Sequence, residues 1–255
     1  MTNYFKNRQE RREHAIRWTR KMDTEFSGEI KTCINKTKTY SDVFIPSVTD
    51  GSYKPEVVIE DTDSVSAVFA HQNDGKICVL NFASYKNPGG MFYEGSSAQE
   101  ECLCHESFLY SVLKERMYYY ISNRNNLNKG LYTNKALLSP NILFVRDEVI
   151  KCDVLTCAAP NRSLIKYGNF TEEENSKVLE DRIKFVCDIL KENEYSTVIL
   201  GAYGCGVFAQ NPTEVAKLFD KYLVNFNKPI KAVFAIPAGD NLDAFKNYFS
   251  KGERR

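Results

Sequence analysis

Short apolar runs alternate with stretches of helical periodicity along most of this chain. Val57–Glu60, Val65–Ala70, Ile77–Phe82, Ile142–Val145, Val154–Ala158, Val198–Ala202 and Ala232–Ile236 are β-branched or continuously apolar, which predicts strands. Runs with no polar alternation predict burial on both faces, as in a sheet covered by helices. Helical patterns fall near 98–121, 172–193, 212–225 and 240–250, the second opened by Thr171 with Glu174 at capping-box spacing. Upstream, within 5–26, Trp18, Met22 and Phe26 share one helical face. That spacing predicts an amphipathic helix packed on the domain, with a basic nucleic-acid arm as the competing reading. The alternation predicts an α/β layered domain. With no internal repeat, low-complexity tract or linker, one domain over 1–255 is expected.

Composition narrows the classes. A chain of 255 residues can bury a substantial core. With 34 basic against 33 acidic residues, no overall field recruits nucleic acid or membrane, so neither is expected as a direct partner. No apolar run approaches the ~18 residues of a spanning helix. The basic opening segment contains Glu10 and Glu13 and lacks a secretory apolar core, which argues against a leader or transit peptide. Eight cysteines without a CxxC pair predict reduced thiols and a cytoplasmic protein. His14, His71 and His105 are too dispersed to suggest a metal centre, and no cofactor is expected.

Candidate chemistry begins after Ile77–Phe82, a strand expected to deliver the chain to the edge of the sheet where α/β folds collect ligands. The following Asn87-Pro88-Gly89-Gly90 is strong turn chemistry, and glycines admit a close backbone approach that a Cβ blocks. A tight turn and nothing more is the plainer account. Gln99-Glu100-Glu101 then opens a helical pattern. Ser97-x-x-Glu100 fits a capping box, and acids suit a helix start on dipole grounds, so helix-end electrostatics alone would also explain them. Adjacent helical side chains point about 100° apart. The chemistry implied is one working carboxylate and one positioning carboxylate, rather than a facing pair.

A second glycine run, Gly201 to Phe208 (GAYGCGVF), follows Val198–Leu200 and precedes a helix pattern at Pro212. Such strand-to-helix loops can turn successive N–H groups onto a phosphate without cationic side chains. The run matches neither the dinucleotide fingerprint nor a P-loop. Cys205 invites a nucleophile reading, but no histidine accompanies it, and a small packing side chain is the alternative. Phe208 either stacks on a ribose or base or anchors the loop to the core.

In combination these motifs carry a resemblance. Gly89-Gly90-Met91-x7-Gln99-Glu100-Glu101 resembles the GGG-x(6–8)-QEE signature of poly(ADP-ribose) glycohydrolases. VLNFASYKNPGGMF, SAQEECLC, TCAAPN and LGAYGCGVFAQNP look like the bacterial-type branch, over about Val79 to Val215. The resemblance implies a macrodomain-like three-layer α/β/α sandwich with a mixed sheet, to which residues 1–50 add an N-terminal helical extension packed on it. It implies ADP-ribose as the bound unit, with poly(ADP-ribose) and ADP-ribosylated proteins as partners of a monomer. Glu101 matches the family's catalytic glutamate, Glu100 the acid holding the neighbouring ribose, and Gln99 the amide beside it. Gly89 and Gly90 match the loop that cradles the distal ribose and diphosphate. Gly204, Cys205, Gly206, Val207 and Phe208 match the diphosphate loop and its aromatic, and Asn81 and Asn87 lie where related loops contact ribose. Met91 departs from the pattern, since it occupies the third signature glycine, where a Cβ can narrow the approach.

The expected reaction is cleavage of a ribose–ribose O-glycosidic bond. Glu101 is expected to hold a proton near neutral pH, donate it to the departing oxygen as positive charge develops on the ring, and then take one from water. Desolvation, Glu100 and the ligand's diphosphate favour the neutral form, against the helix dipole. The competing functions are a reader that holds ADP-ribose without cleaving it, and a hydrolase of mono-ADP-ribosylated protein or another ADP-ribose derivative.

Overall fold

The protein was analysed as a computed structural model that describes residues 7–46 and 51–252. Residues 1–6 and 47–50 of the expected extension lie outside the described residues. Two helices open the chain, α1 (Arg8–Glu25) and α2 (Ser27–Lys36), followed by β1 (Lys38–Ser41), β2 (Glu56–Glu60), α3 (Ser64–Ala70) and β3 (Ile77–Phe82). Then come α4 (Gln99–His105), α5 (Leu109–Leu113), α6 (Met117–Arg124), β4 (Lys135–Val145) and β5 (Val149–Cys157). The last elements are α7 (Glu172–Glu192), β6 (Thr197–Leu200), α8 (Pro212–Tyr222), β7 (Lys231–Ala235) and α9 (Asp240–Gly252).

Seven strands form one sheet in the order β1-β4-β5-β3-β6-β7-β2. The five strands from β5 to β2 run parallel, while β4 is antiparallel to both β5 and β1, so the sheet is mixed as the resemblance implied. Side chains alternate across it. In the central strand β3, Ile77 and Val79 enter a core shared with α1 to α6, whereas Cys78 and Leu80 enter a second core under α7, α8 and α9. The result is the expected three-layer α/β/α arrangement.

The N-terminal pattern is borne out as an amphipathic helix. In α1, Asn7 caps the start by accepting the Glu10 N–H, and Ala15, Thr19 and Met22 are buried against the body. Trp18 donates its indole N–H to the Ser107 carbonyl at 2.9 Å. Arg8 and Arg11 donate to the Glu94 and Gly95 carbonyls at 2.7 and 2.6 Å, so part of the basic character is spent inside the fold. The capping box of α7 is present as expected, with Thr171 and Glu174 bonded reciprocally.

Three expectations need correction. Val65–Ala70 is not a strand but most of α3. Asp63 accepts the Val65 and Ser66 N–H groups at 3.0 Å each, and this cap turns a short apolar run, ambiguous by pattern alone, into a helix. The pattern at 98–121 is not one helix but α4, α5 and the start of α6. Ser107 breaks it, its hydroxyl donating to the Leu103 carbonyl at 2.7 Å while accepting the Leu109 N–H at 3.1 Å. The Ser97–Glu100 capping box does not form either. Ala98 is the N-cap of α4 with no side-chain cap, and the Glu100 carboxylate points elsewhere. Helix α2 falls within the helical extension expected over 1–50, but that span also contains β1, an edge strand of the sheet that went unforeseen because Lys38–Ser41 is polar and too short for a periodic signal.

Candidate active site

The Ile77–Phe82 strand lies at the centre of the sheet, and its carboxyl end opens into the acid loop. Gly89 and Gly90 both adopt left-handed backbone angles, φ +66° and +61°, which a side chain would strain. The requirement at Gly90 is also spatial. A Cβ there would stand 2.5 Å from Glu101 Oε1 and 3.1 Å from Glu100 Oε2. Both carboxyls therefore converge on this one glycine. Met91, the third signature position, has φ −112° and needs no glycine for its backbone. Its side chain is about half exposed, and its N–H donates to Glu101 Oε1 at 2.9 Å.

Both acids are buried in the first turn of α4. Glu100 Oε2 accepts the Ser84 N–H at 2.7 Å, and Oε1 accepts the amide of Asn81 at 3.3 Å. Asn81 is fully buried and also donates to Thr156 Oγ1 at 3.2 Å. Gln99 is a strut, accepting the Phe82 N–H at 2.9 Å and donating to the Leu80 carbonyl and the Ser64 hydroxyl. Of the four carboxyl oxygens, only Glu101 Oε2 lacks a partner. Burial, reinforced by the neighbouring Glu101 charge and opposed by the Ser84 N–H, pushes the Glu100 carboxyl up to about 8.

The second glycine loop meets the same end of the sheet. Gly204 is left-handed at φ +75° and packs on Ala159 and Gln210, while a Cβ at Gly206 would meet nothing within 4 Å. Gly206 and Gln99 both line a cavity of 330 Å³, together with Asp63, Phe82, Ile236 and Asn241. Helix α4, the end of β3 and the second glycine loop thus border one depression, whose lining includes neither the Gly89-Gly90 turn nor the two acids. Phe208 joins them from the other side, its ring 6.1 Å from that of Tyr132, which stacks on Tyr85 of the acid loop at 4.1 Å. Cys205 settles toward packing, since burial pushes its thiol up to about 12, away from the thiolate a nucleophile needs. Val207 is largely exposed, and exposed Asn87 spends its N–H on Ser84 Oγ at 3.2 Å.

A family model described as the catalytic domain of microbial-type PARG matches residues 11–147, more than half of the 255-residue chain. The chain belongs to the microbial-type PARG family. Among solved structures it is similar to poly(ADP-ribose) glycohydrolase from Thermomonospora curvata, at 25% identity and TM-score 0.82 over 95% of this chain and 100% of that one. The same Thermomonospora enzyme bound to the inhibitor ADP-HPD gives 25% identity and TM-score 0.81 over 94% and 99%. Poly(ADP-ribose) glycohydrolase from Deinococcus radiodurans in complex with ADP-ribose gives 25% identity and TM-score 0.76, over 87% and 97%. A comparison with curated proteins found no match. Family and structures together make the chain a glycosidase of the poly(ADP-ribose) glycohydrolase type.

Within this PARG-type site the sequence reading missed several residues. Ser84 supplies a backbone donor to Glu100, a role no side-chain pattern reveals. Asp63, Ile236 and Asn241 border the cavity from α3 and the chain after β7. The available signal was the strand end at Ala232–Ile236, a further carboxyl end at the same edge of a parallel sheet. Among the described residues no cluster of His, Cys, Asp and Glu could hold a metal, and no helix is long and apolar enough to cross a membrane.

Proposed function

We propose that this chain releases ADP-ribose from poly(ADP-ribose), with Glu101 as the acid and base at the ribose–ribose O-glycosidic bond. The observation that carries the assignment is the count of partners on the two carboxyls. Three of their four oxygens are held by the Ser84 N–H, the Asn81 amide and the Met91 N–H, leaving Glu101 Oε2 buried and unengaged. Burial pushes the Glu100 carboxyl toward its neutral form, so this acid holds a proton at neutral pH that the neighbouring Glu101 can receive. Glu101 Oε2 is where that proton is presented. It passes to the departing ribose oxygen as the C–O bond breaks and positive charge develops on the ring. Water then adds to the anomeric carbon and returns a proton to Glu101.

Glu100 serves as the positioning acid. Each of its oxygens accepts one protein N–H and keeps lone pairs for ribose hydroxyls. The backbone of Gly204 to Phe208 receives the diphosphate, where open space at Gly206 allows close approach. The cavity, with Val65, Phe82 and Ile236 as apolar walls and Asp63 and Asn241 as polar groups, suits the base. The whole chain acts as one domain and a monomer on ADP-ribosylated proteins, and eight free thiols support the cytoplasm as its setting. Incubation with labelled poly(ADP-ribose) and with mono-modified protein tests the activity. In Glu101→Gln, release from polymer is expected to fall ~10²–10⁴-fold while ADP-ribose binding survives. Near-normal turnover would refute the role given to Glu101.

A further inference from the structure

A second cavity, of 270 Å³, opens at the β1 edge of the sheet between β1, the start of β4 and helix α6. Its charged lining is Arg116, Lys135 and Glu115. The two cations bond only to neutral oxygens. Lys135 Nζ donates to the Ser122 hydroxyl, and Arg116 donates to the carbonyls of Ile34 and Thr37 while its Nε has no partner. Among the described residues neither has a carboxylate partner, and Glu115 is the one acid of the lining. The hydroxyls of Thr39, Ser41 and Ser122 complete the polar wall. Tyr118 stands at the rim with its side chain 87% exposed. Cations in excess, hydroxyl donors and an unpacked aromatic ring are what a phosphate-bearing nucleotide engages.

The place of this cavity in the sheet gives it a direction. One ladder row runs Asn81–Thr156–Leu137–Thr39 across β3, β5, β4 and β1. Cross-strand partners face the same side, so Thr39 on the cavity wall and Asn81 beneath Glu100 look out of one face of the sheet. They are separated by three strand spacings of ~4.8 Å, about 14 Å. Lys135 stands at the same end of the sheet as Phe82, where the acid loop begins. Helix α6 bridges the two places. Asn123 donates to the Tyr85 carbonyl of the acid loop at 3.0 Å, and the next residue back, Ser122, receives Lys135. The base cavity lies on the opposite flank, beside β6 and β7. Across the sheet the order is therefore base cavity, diphosphate loop, acids, cationic cavity.

We infer that the cationic cavity beside α6 holds the next ADP-ribose unit of the polymer, the one on the leaving side of the cleaved bond. The inference rests on the polymer-cleaving reading above, in which the group on the leaving side is a further ADP-ribose unit. An acidic protein segment would meet the same cations, but it has no use for an exposed tyrosine ring placed for stacking.

The test measures binding in the Glu101→Gln background, where polymer is not consumed, using labelled poly(ADP-ribose) by fluorescence anisotropy and free ADP-ribose by calorimetry. Adding Tyr118→Ala and Lys135→Gln is expected to weaken polymer binding about tenfold and to leave ADP-ribose binding unchanged. Tyr118→Ala alone, at so exposed a position, keeps the measurement available should the combined variant not fold. Unchanged polymer affinity overturns the inference, as does an equal loss of ADP-ribose affinity. A poly-glutamate peptide whose binding falls in these variants while polymer binding does not would overturn it in favour of a protein segment. Failure of the wild type to release ADP-ribose despite tight, variant-sensitive polymer binding would sink the catalytic reading and leave this one standing.

Discussion

Gly90→Ala asks whether the turn, rather than the acids alone, makes the site. The substitution adds one methyl group at a residue with φ +61°, where a non-glycine residue costs about 1 kcal/mol. The larger effect is spatial. The new Cβ would lie 2.5 Å from Glu101 Oε1 and 3.3 Å from its Cδ, against a comfortable separation near ~3.5 Å. The carboxyl must then retreat by on the order of 1 Å. It is buried, with Glu100 Oε2 also 3.1 Å from the intruding carbon, so neither acid has open solvent into which to swing. Retreat stretches or breaks the 2.9 Å bond from the Met91 N–H, a further ~1 kcal/mol. Together these predict a loss near ~2 kcal/mol, or roughly 5 °C in Tm for a chain of this size. Displacing a reacting group by about 1 Å typically lowers turnover ~10²-fold. Thermal unfolding and initial rates of ADP-ribose release measure the two effects separately. Gly206→Ala is the matched control for stability, because its Cβ enters open space without a left-handed backbone, and its Tm should stay at the wild-type value. A Gly90→Ala protein with wild-type Tm and turnover would refute the claim that this turn positions the acids.

Glu100→Gln should alter the pH dependence of stability. The folded carboxyl is raised from 4.5 to about 8, so the folded state holds a proton that the unfolded chain has released. Wild-type stability therefore falls as pH rises from about 4.5 through about 8. The variant, lacking this slope, should gain up to ~4 kcal/mol relative to wild type between pH 5 and pH 8. Parallel denaturation curves at the two pH values would refute it. Met91→Gly keeps the N–H on Glu101 and removes a half-exposed side chain beside the acid loop, so ADP-ribose affinity should rise. Calorimetry showing equal or weaker binding would count against that. His14 and His105 meet through their Nδ1 atoms at 2.9 Å, and burial holds them down to about 4 and about 3, aided by Arg17 beside His14 and by His14 and Arg11 beside His105. The unfolded chain takes up these protons below about 6.5, so stability contributed at this contact is lost as pH falls from about 6.5 toward 4. Trp18, the chain's one tryptophan, stacks on His14, so its emission in the folded protein should change only as pH falls through about 4, where His14 takes up its proton. An emission shift already complete between pH ~6.5 and ~5 would contradict this.

The sequence was most legible where a single residue type had a single physical use. Continuous apolar runs marked the buried parallel strands, since burial on both faces leaves no polar alternation; Ile77–Phe82 needed no adjustment. The same signal failed at Val65–Ala70, where Asp63 decided the matter through two backbone donors and the run itself could not. Gly89, Gly90, Glu100 and Glu101 were legible as a group, but Glu100 carried two compatible local explanations. A capping carboxylate and a ligand-positioning carboxylate look alike in sequence. The distinction depends on Ser84 and Asn81, which reach Glu100 only after the chain has turned back over the end of β3. The 330 Å³ cavity was illegible for a related reason, being assembled from chain as far apart as Asp63, Gln99, Gly206 and Asn241.

The acid loop is held from several directions, and this explains why helices remote in sequence belong with the site. At its start, Asn123 of α6 donates to the Tyr85 carbonyl. At its middle, Glu101 of α4 receives the Met91 N–H. At its far end, Arg8 and Arg11 of α1 grip the Glu94 and Gly95 carbonyls. A loop with left-handed glycines at its apex is costly to order and free to move unless its ends are fixed. Three separate helices supply that fixing, each through a side chain bonded to main chain. The sheet acts on the acid pair itself, through Asn81 on Glu100, while α1 acts one step away by fixing the far end of the loop whose Met91 N–H holds Glu101.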